Sequence, residues 1–312
     1  MRYGITRLHP NVDSFIELSA EAFALAKNSK FNFMMLLEIE EKLDIFLENY
    51  AEYERELLSL ALQRSIFFDP SWSSVISDIH TVNRRLANLL TTGRLYIDQV
   101  GHEVKEVYGP DSSVSKALRG LLDSEYSGSL GYRSMEMLRN HIQHRALPVY
   151  RIDYPNKTTL SDYIDGQRRI TGIRWAVTPS LRVDALKEDR KIKRPVLDEL
   201  AGIGEYVPVT PLVRQYVESI GRIHEKLREI TSKDLAEWTG QMGKIIEQGR
   251  QFFHEDLIGI SLVVEDGPGN YLEVEQVFDD LVKRHAFLAL KNLGLQSISI
   301  QFITSECISS EE

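Results

Sequence analysis

Residues 33–63, FMMLLEIEEKLDIFLENYAEYERELLSLALQ, decide the fold class. Leu36, Ile39, Leu43, Phe46, Tyr50, Tyr53, Leu57 and Leu60 alternate three and four apart. At 3.6 residues per turn, side chains so spaced form one stripe along an α-helix. The positions between them are rich in Glu, Lys and Arg, as a solvated face should be. The spacing predicts one long helix, and a long apolar seam needs partner helices to cover it.

The partners follow in sequence. After Asp69-Pro70, with Ser71 or Ser73 as N-cap, a second helix is expected over 73–107. Val75, Ile79, Val82, Leu86, Leu89, Gly93, Tyr96 and Val100 form its seam, and Gly93 would admit a closely packed neighbour. Gly109-Pro110 ends it. Asp111 or Ser112 caps a third helix to about 125, carrying Val114, Leu118, Leu121 and Leu122. Tyr132–Arg145 is the fourth, closed before Pro148. Residues 33–146 thus read as a four-helix bundle, preceded by a short lead-in with a helical pattern over 12–26.

The pattern changes at 147, where a domain boundary is placed: a helical bundle over 1–147 and a helical region with a small β element over 148–312. Period-2 patches at 148–154, 170–177 and 181–185 suggest short strands. Helices are expected at 195–202, 210–231 and, capped by Ser232, 232–253. A strand at 258–264, a helix over 272–293 and a strand at 297–303 suggest a βαβ unit. The class is mainly α, with an α+β C-terminal part.

Composition excludes several functions. No run approaches the roughly 18 apolar residues that cross a bilayer. The start, MRYGITRLHPNVDSF, has no apolar signal core, so a cytoplasmic setting is expected. Cys307 is the single cysteine, so neither an intrachain disulfide nor a cysteine-zinc cluster can form. No cofactor motif is present: Gly202-Ile-Gly204 and Gly267-Pro-Gly269 match neither a Walker A loop nor a dinucleotide fingerprint. The net charge is −9, yet residues 130–194 hold 14 Lys/Arg against 7 Asp/Glu. Such a local basic window attracts phosphates or is simply a solvated region.

That window opens with the fourth helix. At about 100° per residue, Met135, Leu138 and Ile142 share one arc; Arg139, Asn140, Gln143 and His144 share another. The run Arg139-Asn140-His141-Ile142-Gln143-His144 resembles the R-polar-x3-H signature of HEPN-domain proteins, an all-α superfamily with many metal-independent endoribonucleases. The resemblance covers residues 1 to about 150 and no more. It implies that Arg139 stabilises phosphate charge, His144 acts as general base or acid, and Asn140 orients one or the other. It further implies a homodimer with a shared cleft and a 2′,3′-cyclic phosphate product. A toxin or phage-defence role, with an antitoxin or other regulatory partner, follows by analogy.

The chemistry suits these residue types. Histidine titrates near neutrality and moves protons; arginine stays ionised and grips phosphate through paired donors. Each residue also has a plainer reading. Arg139 can pair with Glu136 three residues away, and His144 can favour the helix C-terminus as a cation. His141 points off the Arg139 arc, toward core or interface packing. His141 and His144 lack the second motif that metal binding requires, so no metal is expected. Arg145 and the pair Arg84-Arg85 are the further candidates for RNA contact, the latter otherwise a solvated helix face. The rival function is a non-catalytic HEPN-like scaffold that binds RNA, a nucleotide or a protein.

Overall fold

The structure is a computed structural model and describes residues 1–7, 15–67, 69, 71–160, 167–189, 192–253, 259–277 and 279–303. Its order is β1 (Arg2–Arg7), β2 (Phe15–Leu18), α1 (Ala20–Ile66), α2 (Trp72–Tyr108), α3 (Ser113–Gly128), α4 (Leu130–His144), β3 (Val149–Asp153), β4 (Asn156–Leu160), β5 (Ile170–Trp175) and β6 (Thr178–Arg182). Then come α5 (Val183–Lys187), α6 (Arg194–Ile203), β7 (Tyr206–Pro208), α7 (Val209–Phe252), β8 (Ile260–Glu265), β9 (Tyr271–Gln276) and α8 (Asp279–Lys291). The fold is mainly α with a small β portion.

The chain forms two compact units, one of Met1–Asp44, Asp98–Arg119 and Glu225–Leu293, the other of Ile45–Ile97, Gly120–His224 and Gly294–Glu312. Both units are discontinuous in sequence, and α1, α2 and α7 contribute to each. Residue 147 falls inside the second unit, between α4 and β3.

The first unit holds an antiparallel sheet in the order β2-β1-β8-β9. β1 and β8 are the inner strands, and all six residues of β8 are buried. Ile5, Leu262 and Val264 pack with Phe23 of α1 and Ile245 of α7. Ser112 accepts from the Ser115 amide at 3.1 Å and so caps α3. Here the sequence expectations need correction. The lead-in carries two strands, and α1 begins at Ala20 and runs unbroken to Ile66 instead of starting near residue 33. Residues 12–14 of the expected lead-in helix lie outside the described residues, as does Ile258 of the expected strand.

The helices expected at 210–231 and 232–253 are one. The Ser232 hydroxyl donates to the Glu229 carbonyl at 2.9 Å, an in-helix bond, instead of capping a new start. Residues 272–276, expected as helix, belong to β9: exposure alternates along that strand, and it pairs with β8. The βαβ unit is therefore a hairpin joined to the N-terminal strands.

The second unit packs the first part of α7 among segments of α1, α2 and α4. Tyr216 of α7 meets Phe46 of α1 edge-on at 5.8 Å and Tyr132 of α4 at 5.4 Å. Arg214 grips Glu54 with two bonds of 2.7 and 2.8 Å. Tyr96 of α2 bonds His224 at 2.9 Å, both buried. The bundle of this unit thus includes a helix that the sequence division assigned to the C-terminal region. The strand expected at 297–303 is a single 3-10 turn over Ile298–Ile300 followed by irregular chain, with Phe302 exposed.

A long β-hairpin leaves α4. β3 pairs with β6 and β4 with β5, all antiparallel. Asn83 of α2, itself buried, fastens the root: its amide donates to the Val149 carbonyl at 2.9 Å and accepts from the Val149 N–H at 3.0 Å. Tyr154 donates to Asp78, and the Arg64 guanidinium lies 4.7 Å from the ring. Burial, with Asp78 alongside, pushes the Tyr154 phenol up to about 12.

Three outcomes follow from this packing. Asn83→Ala strands two buried backbone groups of Val149 and should cost about 2–4 kcal/mol in urea unfolding. Gly93→Ala should destabilise by about 1–3 kcal/mol despite alanine's better helix propensity. Its Cβ would lie 2.5 Å from the Tyr216 hydroxyl and 3.0 Å from Phe46. Tyr154 has a folded pKa above its ordinary value, so its contribution is complete below pH of about 10 and fades as pH rises through about 12. The stability gap between wild type and Tyr154→Phe should be flat to pH of about 10 and narrow above it.

Candidate functional site

α4 is held from its first turn. Ser129 caps it, accepting from the Tyr132 amide at 3.1 Å. Gly131 lies against α7: a Cβ there would sit 2.4 Å from the Gln215 Cβ and 2.6 Å from the Leu212 carbonyl oxygen. With Tyr132, Met135 and Leu138 buried, the helix cannot rotate without exposing that stripe. The polar arc of the sequence reading therefore faces outward at its C-terminal end.

On that arc, the Arg139 guanidinium donates to the Asn140 side-chain oxygen at 3.0 Å. Arg139 is half-buried, and its Nε is shielded without a hydrogen-bond partner among the described residues. Asn140 and His144 are exposed. Among the described residues no hydrogen bond joins Arg139 to His144. Glu136, the alternative partner for Arg139, is engaged elsewhere: Arg94 holds it at 3.0 Å and the Tyr216 hydroxyl donates to it at 3.4 Å.

His141 is buried and turned away from this arc, as its helical position predicts. Its Nδ1 lies 2.9 Å from an Asp189 carboxylate oxygen, and Asp189 is buried as well. An ionised carboxylate only accepts, so Nδ1 carries the hydrogen in this pair. Nε2 has no partner among the described residues. The second oxygen of Asp189 lies 3.8 Å from Arg145 Nε.

Beside the pair is a cavity of about 250 Å³, lined in part by Tyr126, Arg133, Asn140, His141, Asp189 and Lys193. Lys193 sits over the Tyr126 ring at 5.1 Å, and Arg133 bonds Glu199 at 2.7 Å. Asn140 belongs to both places: it touches Arg139 and lines the cavity.

The other candidate cations differ in freedom. Arg145 donates to the Glu188 carbonyl at 3.3 Å besides facing Asp189, so it braces the end of α4. Arg85 is gripped by Glu52 and Glu56 of α1, which makes it an interhelical tie. Arg84 is exposed. Arg190 and Lys191 lie outside the described residues.

Sequence reasoning missed Asp189. It lies 48 residues from His141 and belongs to no local motif. A buried histidine on a helix was the only available signal, and it does not name its partner. Among the described residues no group of three His, Cys, Asp or Glu could hold a metal ion, and no helix is long and apolar enough to cross a membrane. Comparison with protein-family models, curated proteins and solved structures finds no match to this chain.

Removing one partner of the buried pair leaves the other's hydrogen-bonding group stranded. Asp189→Ala should lower unfolding free energy by about 1–3 kcal/mol. In a double-mutant cycle with His141→Ala, the two losses should fall short of additive by at least about 0.5 kcal/mol.

Proposed function

We propose that the outward end of α4 is the RNA-cleaving face of a HEPN-type, metal-independent endoribonuclease. The observation that carries this reading is the Arg139 guanidinium held by Asn140, with His144 exposed further along the same helix whose other face is buried. A permanently charged fork offers paired bonds to a phosphodiester. An imidazole near it exchanges a proton at neutral pH.

In the reaction, the 2′-hydroxyl loses its proton and its oxygen attacks the adjacent phosphorus. The bond to the 5′-oxygen breaks, that oxygen takes up a proton, and a 2′,3′-cyclic phosphate is left. Arg139 offsets the negative charge that builds on the phosphorane oxygens. His144 serves one of the two proton transfers. One chain supplies one histidine on this face, so a second copy would supply the other; homodimerisation is part of the proposal. A cytoplasmic toxin or defence effector, masked by an antitoxin, is its natural setting.

One observation favours a second reading, a helical scaffold that binds RNA without cutting it: Arg139 and His144 are not joined by a hydrogen bond. Catalytic contacts often tighten only around substrate, so the nuclease reading does not require that bond in the free protein.

Incubation with RNA in EDTA decides between them. The proposal expects cleavage to cyclic-phosphate ends. Arg139→Ala and His144→Ala should each slow it by about 10²-fold or more without loss of fold. Cleavage that survives both substitutions removes the site assignment; binding without cleavage selects the scaffold.

A further inference from the structure

One ring nitrogen in the second unit is buried and unused. His141 is 4% exposed, and its Nε2, shielded from solvent, has no hydrogen-bond partner among the described residues. A buried polar atom left unpaired costs stability unless something meets it. His141 also lines the cavity of about 250 Å³, whose walls come from α3, α4, α6 and the segment before α6. A cavity of roughly 150 Å³ already takes a benzene molecule.

The walls are of two kinds. Met137, Ile192 and Val196 are apolar and buried. Tyr126, Asn140, Lys193 and His141 are polar, and Asn140 and Lys193 are exposed residues that open the cavity to solvent. Two of the charges on the walls are matched by neighbours: Arg133 bonds Glu199 at 2.7 Å, and Glu136 is held by Arg94 at 3.0 Å. Lys193 meets no carboxylate among the described residues. Its ammonium donates to the Tyr126 hydroxyl at 3.0 Å and lies 5.1 Å from the centre of that ring. An ammonium has three hydrogens, so two remain. Asn140 accepts from Arg139 through its oxygen, and its amide hydrogens make no bond among the described residues.

We propose that this cavity binds a small organic monocarboxylate. The apolar body of the ligand lies against Met137, Ile192 and Val196, and its carboxylate takes the spare donors of Lys193 and Asn140. One unmatched cation suits a single negative charge, whereas a phosphate monoester brings about −1.5 to −2 at pH 7. His141 completes the site. Its Nδ1 hydrogen is held by Asp189, so a proton taken from solvent goes to Nε2, which then donates to the ligand. The imidazolium stands between two carboxylates, one of the protein and one of the ligand. Water alone would leave the apolar walls wetted and the ammonium without a counter-charge. The site is independent of the RNA reading of α4, whose histidine is His144.

The test is nitrogen NMR of the full chain with labelled imidazoles, titrated with benzoate, phenylacetate and hexanoate at constant ionic strength. Benzyl alcohol and inorganic phosphate are titrated in parallel. At least one carboxylate should move the His141 resonances to saturation, with a Kd on the order of 1 mM or tighter, while His144 stays in place. Lys193→Gln, at an exposed position, should raise that Kd by about tenfold with the circular dichroism spectrum unchanged. Lys193→Arg should restore most of the affinity.

No movement of His141 with any of the three carboxylates overturns the site and leaves a water-filled cavity. Saturation by benzyl alcohol at the same concentration shows that the charge is not used and overturns the carboxylate. Tighter binding of inorganic phosphate overturns it as well, and so does a Kd unaffected by Lys193→Gln.

Discussion

The close contact of α7 with the helices around Tyr216 sets the geometry of the second unit. Gly93 on α2 and Gly131 on α4 each leave no room for a Cβ. Tyr216 occupies the space at Gly93, and Gln215 with the Leu212 carbonyl that at Gly131; Tyr216 is fully buried, and its hydroxyl meets Glu136 of α4. A side chain at either glycine would force the backbones apart, and packed interiors transmit such shifts. The direction in which Arg139 and His144 point depends on this fit, because the buried stripe of α4 has one seat.

That dependence explains why the two faces of α4 differ. One side is committed to the core through Tyr132, Met135 and Leu138. Another is committed to Asp189 through His141, beside a cavity. The remaining arc bears Arg139, Asn140 and His144, whose fixed charge, amide and imidazole have no comparable structural employment. Arg145 and Arg85 show the contrast: each is bound into a tie that its helix needs. Basic residues are thus not equivalent, and Arg145, inside the 130–194 window, shows that counting them overstates the charge available to a phosphate.

Much of the helical architecture was legible because it is local. The seam of α1 is buried at Leu36, Ile39, Leu43, Phe46, Tyr53, Leu57 and Leu60, as its spacing requires. The seam of α2 is buried at Val82, Leu86, Leu89, Tyr96 and Val100. What was not legible is pairing across distance. β1 meets β8 only because the fold brings the start of the chain to residues near 260. β9 reads as helix until a neighbouring strand makes its alternation meaningful. At the site, the arc of Arg139, Asn140 and His144 follows from helical geometry alone, whereas the Asp189 partner of His141 does not.

The central claim is that phosphate chemistry belongs to the His144 side of α4 and not to the His141 side. The most direct measurement is nitrogen NMR of the labelled imidazoles during titration with an uncleavable 2′-O-methyl RNA. The account predicts that the His144 resonances move with RNA while His141, held by Asp189, stays in place. Movement of His141 with His144 unchanged would contradict it.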